Sequence, residues 1–392
     1  MTANRGPWIL DEKAAYIALN LMEGVGPVTV GALVKALGSA RAIFECAPGA
    51  LSGADGVNRL AAARLAEQRG RIDPRPEMER AFEEGIGILT PADPEYPKQL
   101  ARIYDPPLAL YVRGRLESGD NRALGVVGTR HASMYGRETA ERLSRGLAQA
   151  GFSVVSGLAR GIDTAAHRGA LKAGGRTLAV IGSGLDFLYP PENKELAGEI
   201  AAGHGAVLSE FPLARKPDKA TFPMRNRVIS GLSMGVLVVE ANLTSGAFHT
   251  VNQALDQGRS VFAVPGRIDS PGARGPHQLI KSGARLVEDV DDILQEFEFL
   301  IPPGIGNRKR AEEAPPRPPL LPDEARIAGA LEEEGEMDLD QLCRLAGLGA
   351  ARVGALLIGL EMKRVVRMLP GRRVELARNA VCETGGRGRQ GV

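Results

Sequence analysis

Thr221–Arg227 sets an aromatic ring, a proline, two guanidinium groups and an amide within seven positions. The surrounding stretch Ser209–Ser230 carries Arg215, Lys216, Lys219, Arg225 and Arg227 against only Glu210 and Asp218. Cations at this density track phosphates, and a ring among them stacks on a base. The same composition suits a surface loop whose Phe222 plugs the core, because charge runs are commonly solvated faces. Both readings stay open on this segment alone. Phe222 precedes Pro223, and a residue before proline is pushed away from helical backbone. The ring is therefore predicted on an extended segment, with the helix starting at Asn226.

Other loops offer anion chemistry. Leu124–Val127 reads as a strand that feeds Gly128, Thr129 and Arg130 ahead of an amphipathic helix. A small loop at a helix start presents backbone amides to an anion, and Arg130 adds a two-donor fork; the alternative is an ordinary turn with a solvent-facing arginine. Gly157–Asp163 follows the next strand, with His167 one turn beyond Asp163. Acid–base or metal chemistry would need a third ligand nearby, and the spacing offers none. Asp163 reads instead as a helix-start group and His167 as a packed, hydrogen-bonding residue. Gly182, Ser183 and Gly184 resemble a nucleotide-binding turn, yet Phe187 occupies the place of the third glycine in a dinucleotide fingerprint. Ser245, Gly246 and Gly266 close two further strand ends. With Gly157 and the Gly182–Gly184 turn they form a candidate anion or nucleotide pocket. No cofactor and no metal is expected.

The elements that must hold these loops are legible. From 78 to 298 the chain alternates strand, glycine turn and helix, with apolar runs at Ile86–Leu89, Leu108–Val112, Ala123–Val127, Ser153–Ser156, Thr177–Ile181, Ala206–Ser209, Gly235–Val239 and Ser260–Val264. This is the pattern of an α/β, Rossmann-like parallel sheet covered on both faces, whose ligands lie at the carboxyl ends of the strands. Residues 8–70 read as short helices with turns at Gly24–Pro27 and Gly53–Val57. They suit either helix-hairpin-helix units or a plain helical bundle. Six prolines within 302–319 mark an extended linker. Residues 320–378 read as three helices and a hairpin, a winged-helix-like module, followed by a tail over 379–392. The module's acids come early and its cations late, from Lys363 through Arg364, Arg367, Arg372 and Arg373 to Arg378. A DNA-reading wing and a protein-docking module both fit.

A net charge of +2 makes any nucleic-acid surface local rather than global. Cys46, Cys343 and Cys382 form neither a disulfide framework nor a metal pair, which points to a reducing cytoplasm. The first residues do not read as a signal peptide, and no apolar run approaches the roughly 20 residues of a membrane span.

Taken in order, the Gly128–Arg130 loop, Ser156–His167, Gly182–Asn193, Ser209–Pro212, Phe222–Ser233, Val238–Ala247 and Val261–Gly266 closely resemble the DNA-processing protein A family (DprA, also called Smf). The resemblance covers about 78–293 strongly. It implies a non-enzymatic, single-stranded-DNA binding protein that protects incoming strands in natural transformation and loads RecA onto them. It also implies a homodimer through the Rossmann-like domain. The groove positions it carries over are Arg130, Lys219 and Phe222; Gly128, Thr129, Arg225, Asn226 and Arg227 flank them as candidate DNA contacts. The sequence departs from the family at Ala247–Thr250 and at His277. An enzymatic alternative is a nucleotide phosphoribohydrolase, but Pro265 and Gly266 are followed by Arg267 and Ile268 rather than by that group's catalytic motif. A nicotinamide enzyme is a weaker alternative still. Released base from nucleoside monophosphates would separate binder from hydrolase.

Overall fold

Every residue of the five inner strands is buried, as a sheet covered on both faces requires. The computed structural model describes residues 11–300 and 320–376, apart from 364 and 370. The proposed linker over 302–319, the tail over 379–392, Arg364 and Arg378 lie outside them. The described residues fall into two compact units, 11–300 and 320–376.

The first unit opens with six helices, α1 to α6: Glu12–Leu21, Pro27–Leu37, Ala40–Glu45, Pro48–Gly53, Arg59–Gln68 and Arg75–Glu83. Nine strands follow, β1 to β9: Gly87–Leu89, Leu110–Gly114, Ala123–Val127, Ser153–Ser156, Thr177–Val180, Gly205–Ser209, Gly235–Val238, Ser260–Ala263 and Arg285–Leu286. Between and after them run α7 to α13: Met134–Gln149, Ile162–Lys172, Lys194–Glu199, Thr221–Leu232, Ala247–Asp256, Arg274–Lys281 and Asp291–Leu294. The strands form one sheet in the order β1-β2-β6-β5-β4-β3-β7-β8-β9. β1 and β2 are antiparallel additions at one edge, and β6 through β9 pair in parallel.

Side chains alternate along β3 as a two-residue period demands. Ala123 and Val127 face Val228, Ile229 and Leu232 of α10 and Val251 of α11. Leu124 and Val126 face Leu143 of α7 and Ile162 and Ala166 of α8. The chain builds outward from β3 to β6, then returns to lay β7 on the other side of β3. The carboxyl ends of β3 and β7 therefore flank the topological switch point, where doubly wound sheets bind their ligands.

The expected boundary near 70–78 is not a boundary between compact units. Ile17 of α1 is buried among Ala179, Ile181 and Val207 of the sheet, and Leu108 joins the core of the helical layer. Asn20 also donates to the Glu210 carbonyl at 3.2 Å.

The second unit contains α14 (Pro322–Glu334), β10 (Met337–Asp338), α15 (Leu339–Ala346), α16 (Ala350–Met362), β11 (Val366–Leu369) and β12 (Arg373–Leu376), with strands ordered β10-β12-β11. Three helices and a hairpin were expected; the two-residue β10 was too short to read. Asp338 caps α15 by accepting from Gln341 N–H at 2.7 Å. Two of the late cations are paired inside the unit, Lys363 with Glu324 at 2.7 Å and Arg373 with Glu336 at 3.1 Å.

Candidate nucleic-acid interface

The loops after β3 and β7 and the first turn of α10 enclose a cavity of about 490 Å3. Gly128, Thr129 and Arg130 line one wall, Asn242, Thr244, Ser245 and Gly246 another, and Lys219, Phe222 and Asn226 the third. Arg130 and Lys219 are exposed, and Phe222 is half-buried. The Arg130 guanidinium carbon lies 5.2 Å from the centre of the Phe222 ring, within cation–π range. The Tyr189 ring approaches Phe222 from a neighbouring cavity, tilted by 51° with centroids 6.0 Å apart. Behind the ring sits Gly182, where a Cβ would fall 2.8 Å from the Phe222 ring. Only glycine allows the ring to seat there.

Phe222 lies in the first turn of α10, not on an extended segment before it. Asp218 explains the early start: its carboxylate accepts from Ala220 N–H at 2.7 Å and Thr221 N–H at 3.0 Å. These amides would otherwise have no partner at a helix start. The absent N–H of Pro223 also costs nothing in a first turn, where no carbonyl precedes it to accept.

That start sets the helical phase, and the phase separates the cations. Arg225 is buried, donating from Nη1 to the carbonyls of Gly157 and Val180 at the ends of β4 and β5. Burial pulls its pKa down to about 10, with Asp163 opposing the shift. Asp163 in turn accepts from Gly157 N–H at 3.1 Å and Ala159 N–H at 3.3 Å, and burial holds its carboxyl above the usual range. Arg225 thus lies at the floor of the cavity with both Nη1 bonds spent on strand ends. Arg227 does not reach the cavity at all, which corrects its expected role as a DNA contact. Its guanidinium pairs with Asp105 at 3.0 Å and with Glu210 in a buried cluster. Burial raises the Glu210 pKa to about 7, against the pull of Arg227.

The loop after β3 also differs from expectation. Thr129 N–H donates to the Glu240 carbonyl at 2.6 Å, and His131 N–H to Thr129 Oγ1 at 3.2 Å. Two of its amides are spent internally, so the Arg130 fork carries the loop's positive character. Glu240 was not read from the sequence. Its carboxylate accepts from Ser133 N–H at 2.9 Å, fixing the start of α7 against the end of β7. An acidic residue directly after a fully buried strand was the available signal.

The expected nucleotide pocket does not assemble as one site. Gly157, Ser245 and Gly246 border the two neighbouring cavities, with Gly157 in the Tyr189 cavity and the other two in the larger one. Ser183 is buried and donates to the Phe187 carbonyl at 2.6 Å. Gly184 N–H donates to Arg215 O at 2.8 Å. The Gly266 carbonyl accepts from His277 Nε2 at 2.9 Å. These three serve packing, because their polar groups are satisfied by the chain itself. His131, Asn242, Thr244 and His249 line the larger cavity and were missed.

His167 is buried, with Nδ1 2.7 Å from Thr177 Oγ1. The Thr177 hydroxyl donates its single proton to Val154 O at 2.7 Å, so the imidazole carries its proton on Nδ1 and donates. Burial holds its pKa down to about 3. It packs the sheet, as its spacing suggested. Among the described residues no cluster of three or more His, Cys, Asp or Glu side chains suits a metal, and no single helix is long and apolar enough to cross a membrane.

An extended Rossmann-like sheet with a polar groove at its switch point, in a chain that also carries a winged helix, defines the class. The family model for DNA recombination-mediator protein A matches residues 87–298, and that for the DprA winged helix domain matches 311–372. The chain is 34% identical to Protein Smf of Synechocystis sp. over 93% of this chain and 98% of that one. It is 41% identical to Protein Smf of Escherichia coli over 79% of this chain and 84% of the relative. The X-ray structure of DNA processing protein A from Streptococcus pneumoniae matches with a TM-score of 0.65 at 36% identity, covering 74% of this chain and all of that one. The chain belongs to the DNA-processing protein A (DprA/Smf) family, whose members process DNA in recombination.

Proposed function

We propose that this protein binds single-stranded DNA in the groove between the loops after β3 and β7 and the start of α10. The observation that carries the reading is the pairing of a free guanidinium with a half-exposed ring, Arg130 beside Phe222, with Lys219 at the rim. Arg130 and Lys219 meet phosphates, and Phe222 stacks on a base without regard to its identity. Acting without catalysis, the protein protects incoming strands during natural transformation and helps load RecA onto them. It works in the cytoplasm as a homodimer through the sheet domain. Membership of the DNA-processing family supports the DNA-binding role, and the other roles follow from the sequence resemblance to that family.

The test is a gel-shift series with the full chain across salt, comparing single-stranded with duplex DNA of mixed sequence. Tighter binding to the single strand is expected, with an affinity that falls steeply as salt rises because neutralised phosphates release counterions. Equal affinity for both forms would refute it. Light scattering at micromolar concentration tests the dimer, and a monomer there removes it.

A further inference from the structure

Beyond Arg130 the cationic surface continues. A second cavity, of about 550 Å3, shares Arg130 and His131 with the groove and runs over the start of α8 and the adjoining turn of α7. Arg137 on α7 and Arg160 and Arg168 at α8 line it, together with Glu141 and Glu192. The two carboxylates are already neutralised, Glu141 by Lys172 at 2.6 Å and Glu192 by Arg160. Arg130, Arg137 and Arg168 are exposed and, among the described residues, have no ion pair. The channel therefore holds three uncompensated positive charges.

Its walls are fixed by close helix packing. At Gly169 a Cβ would meet the Glu141 carbonyl at 2.3 Å, so α7 and α8 touch backbone to backbone there. This contact keeps Arg137 and Arg168 on facing walls of one trough. At the corner between the two cavities, Gly161 adopts φ +77° and lies against the Thr129 and Arg130 carbonyls. A side chain there would collide with that loop's backbone, so the glycine lets the start of α8 pack against the Arg130 loop.

We infer that this α7–α8 channel is a second stretch of the DNA path, taking the phosphates of a strand as it leaves the Arg130–Phe222 groove. The inference rests on the single-strand reading of that groove and extends its footprint. The channel lines up guanidinium groups without a free ring, so it engages backbone alone and adds affinity only to strands long enough to reach it.

The experiment measures fluorescence anisotropy with oligothymidylates of about 6 and about 20 nucleotides, a span that brackets compact single-strand sites. The variants are Arg137→Ala/Arg168→Ala and, separately, Arg130→Ala. Both channel arginines are exposed, so the double variant is expected to fold as the parent does. It should bind the short strand as the parent does, weaken at least about fivefold on the long one, and lower the long strand's salt slope by about 1.4. Arg130→Ala should weaken both lengths. Unchanged binding of the long strand by the double variant, or equal loss on both lengths, overturns the channel while leaving the groove reading intact. If the parent binds neither length, the groove reading fails and the channel falls with it.

Discussion

Two layers of cationic side chains meet at the start of α10, and they differ in what surrounds them. The outer layer, with Lys219 and Arg130 around Phe222, opens into a groove and, among the described residues, has no carboxylate partner. The inner layer, Arg225 and Arg227, is buried and engaged with backbone carbonyls, Asp105 and Glu210. All four come from, or face, the same basic stretch of sequence. Function therefore follows helical phase and burial rather than charge count. The inner layer holds the strand ends in place, and the outer layer is free to meet a ligand.

Arg225→Ala should break this arrangement most severely. Removing one member of a buried charged cluster typically costs about 3–5 kcal/mol, because the remaining groups are left without partners. Here the Gly157 and Val180 carbonyls would be stranded, and the buried Asp163 carboxylate would lose a favourable charge. Denaturant unfolding should show a loss of that order. A variant as stable as the parent that has lost only DNA affinity would place Arg225 in the outer layer.

Arg130→Ala should do the reverse. Charge-assisted hydrogen bonds to one phosphate correspond to an affinity loss of about 10- to 150-fold, with unfolding unchanged. Phe222→Ala should cost roughly 5- to 150-fold in single-strand affinity, the range measured for base stacking on a ring. Its thermal midpoint should stay nearly unchanged, because the ring is half-exposed and rests on a glycine rather than in the core. A drop of many degrees, with normal binding by the folded fraction, would make Phe222 structural. Lys219→Ala should weaken binding only a few-fold, since a flexible ammonium acts as a single point charge.

The outer layer was legible because its residues follow strands whose apolar runs announce the sheet. All eight sequence-read strands of the large sheet are present, and of its nine described strands only the edge pair Arg285–Leu286 escaped, being too short for a period-two signal. The division between layers was not legible. It depends on α10 beginning at Thr221, and the residue before Pro223 pointed to a later start. Asp218, three residues upstream of the helix, reverses that preference through two hydrogen bonds that a sequence pattern does not reveal. The scattered glycines misled for a related reason. Gly184 and Gly266 have the spacing of ligand loops, but Gly184 lies against the Leu213 carbonyl and Gly266 against Ala273 and His277.

The last expected effect concerns the protons of the inner layer. Glu210 has a pKa of about 7 in the folded chain against an ordinary 4.5. Between those values the folded state keeps a proton that the unfolded state has released. Its contribution to stability is full below 4.5 and is lost as pH rises through 7. Asp105, also raised by burial, shifts in the same direction. His167 acts oppositely, with a pKa of about 3 against 6.5. Its contribution is full above 6.5 and is lost as pH falls toward 3. Each group changes stability by at most about 1.4 kcal/mol per pH unit, so the two slopes largely cancel between 4.5 and 6.5. Glu210→Gln removes one of them while keeping an acceptor for Arg227. Urea unfolding of the variant should show stability rising more steeply with pH across that window than in the parent. Above 6.5 the parent's decline should flatten in the variant. Parallel pH curves for the two proteins would mean that Glu210 is ionised throughout, and that the buried cluster is a fixed ion pair rather than a titrating one.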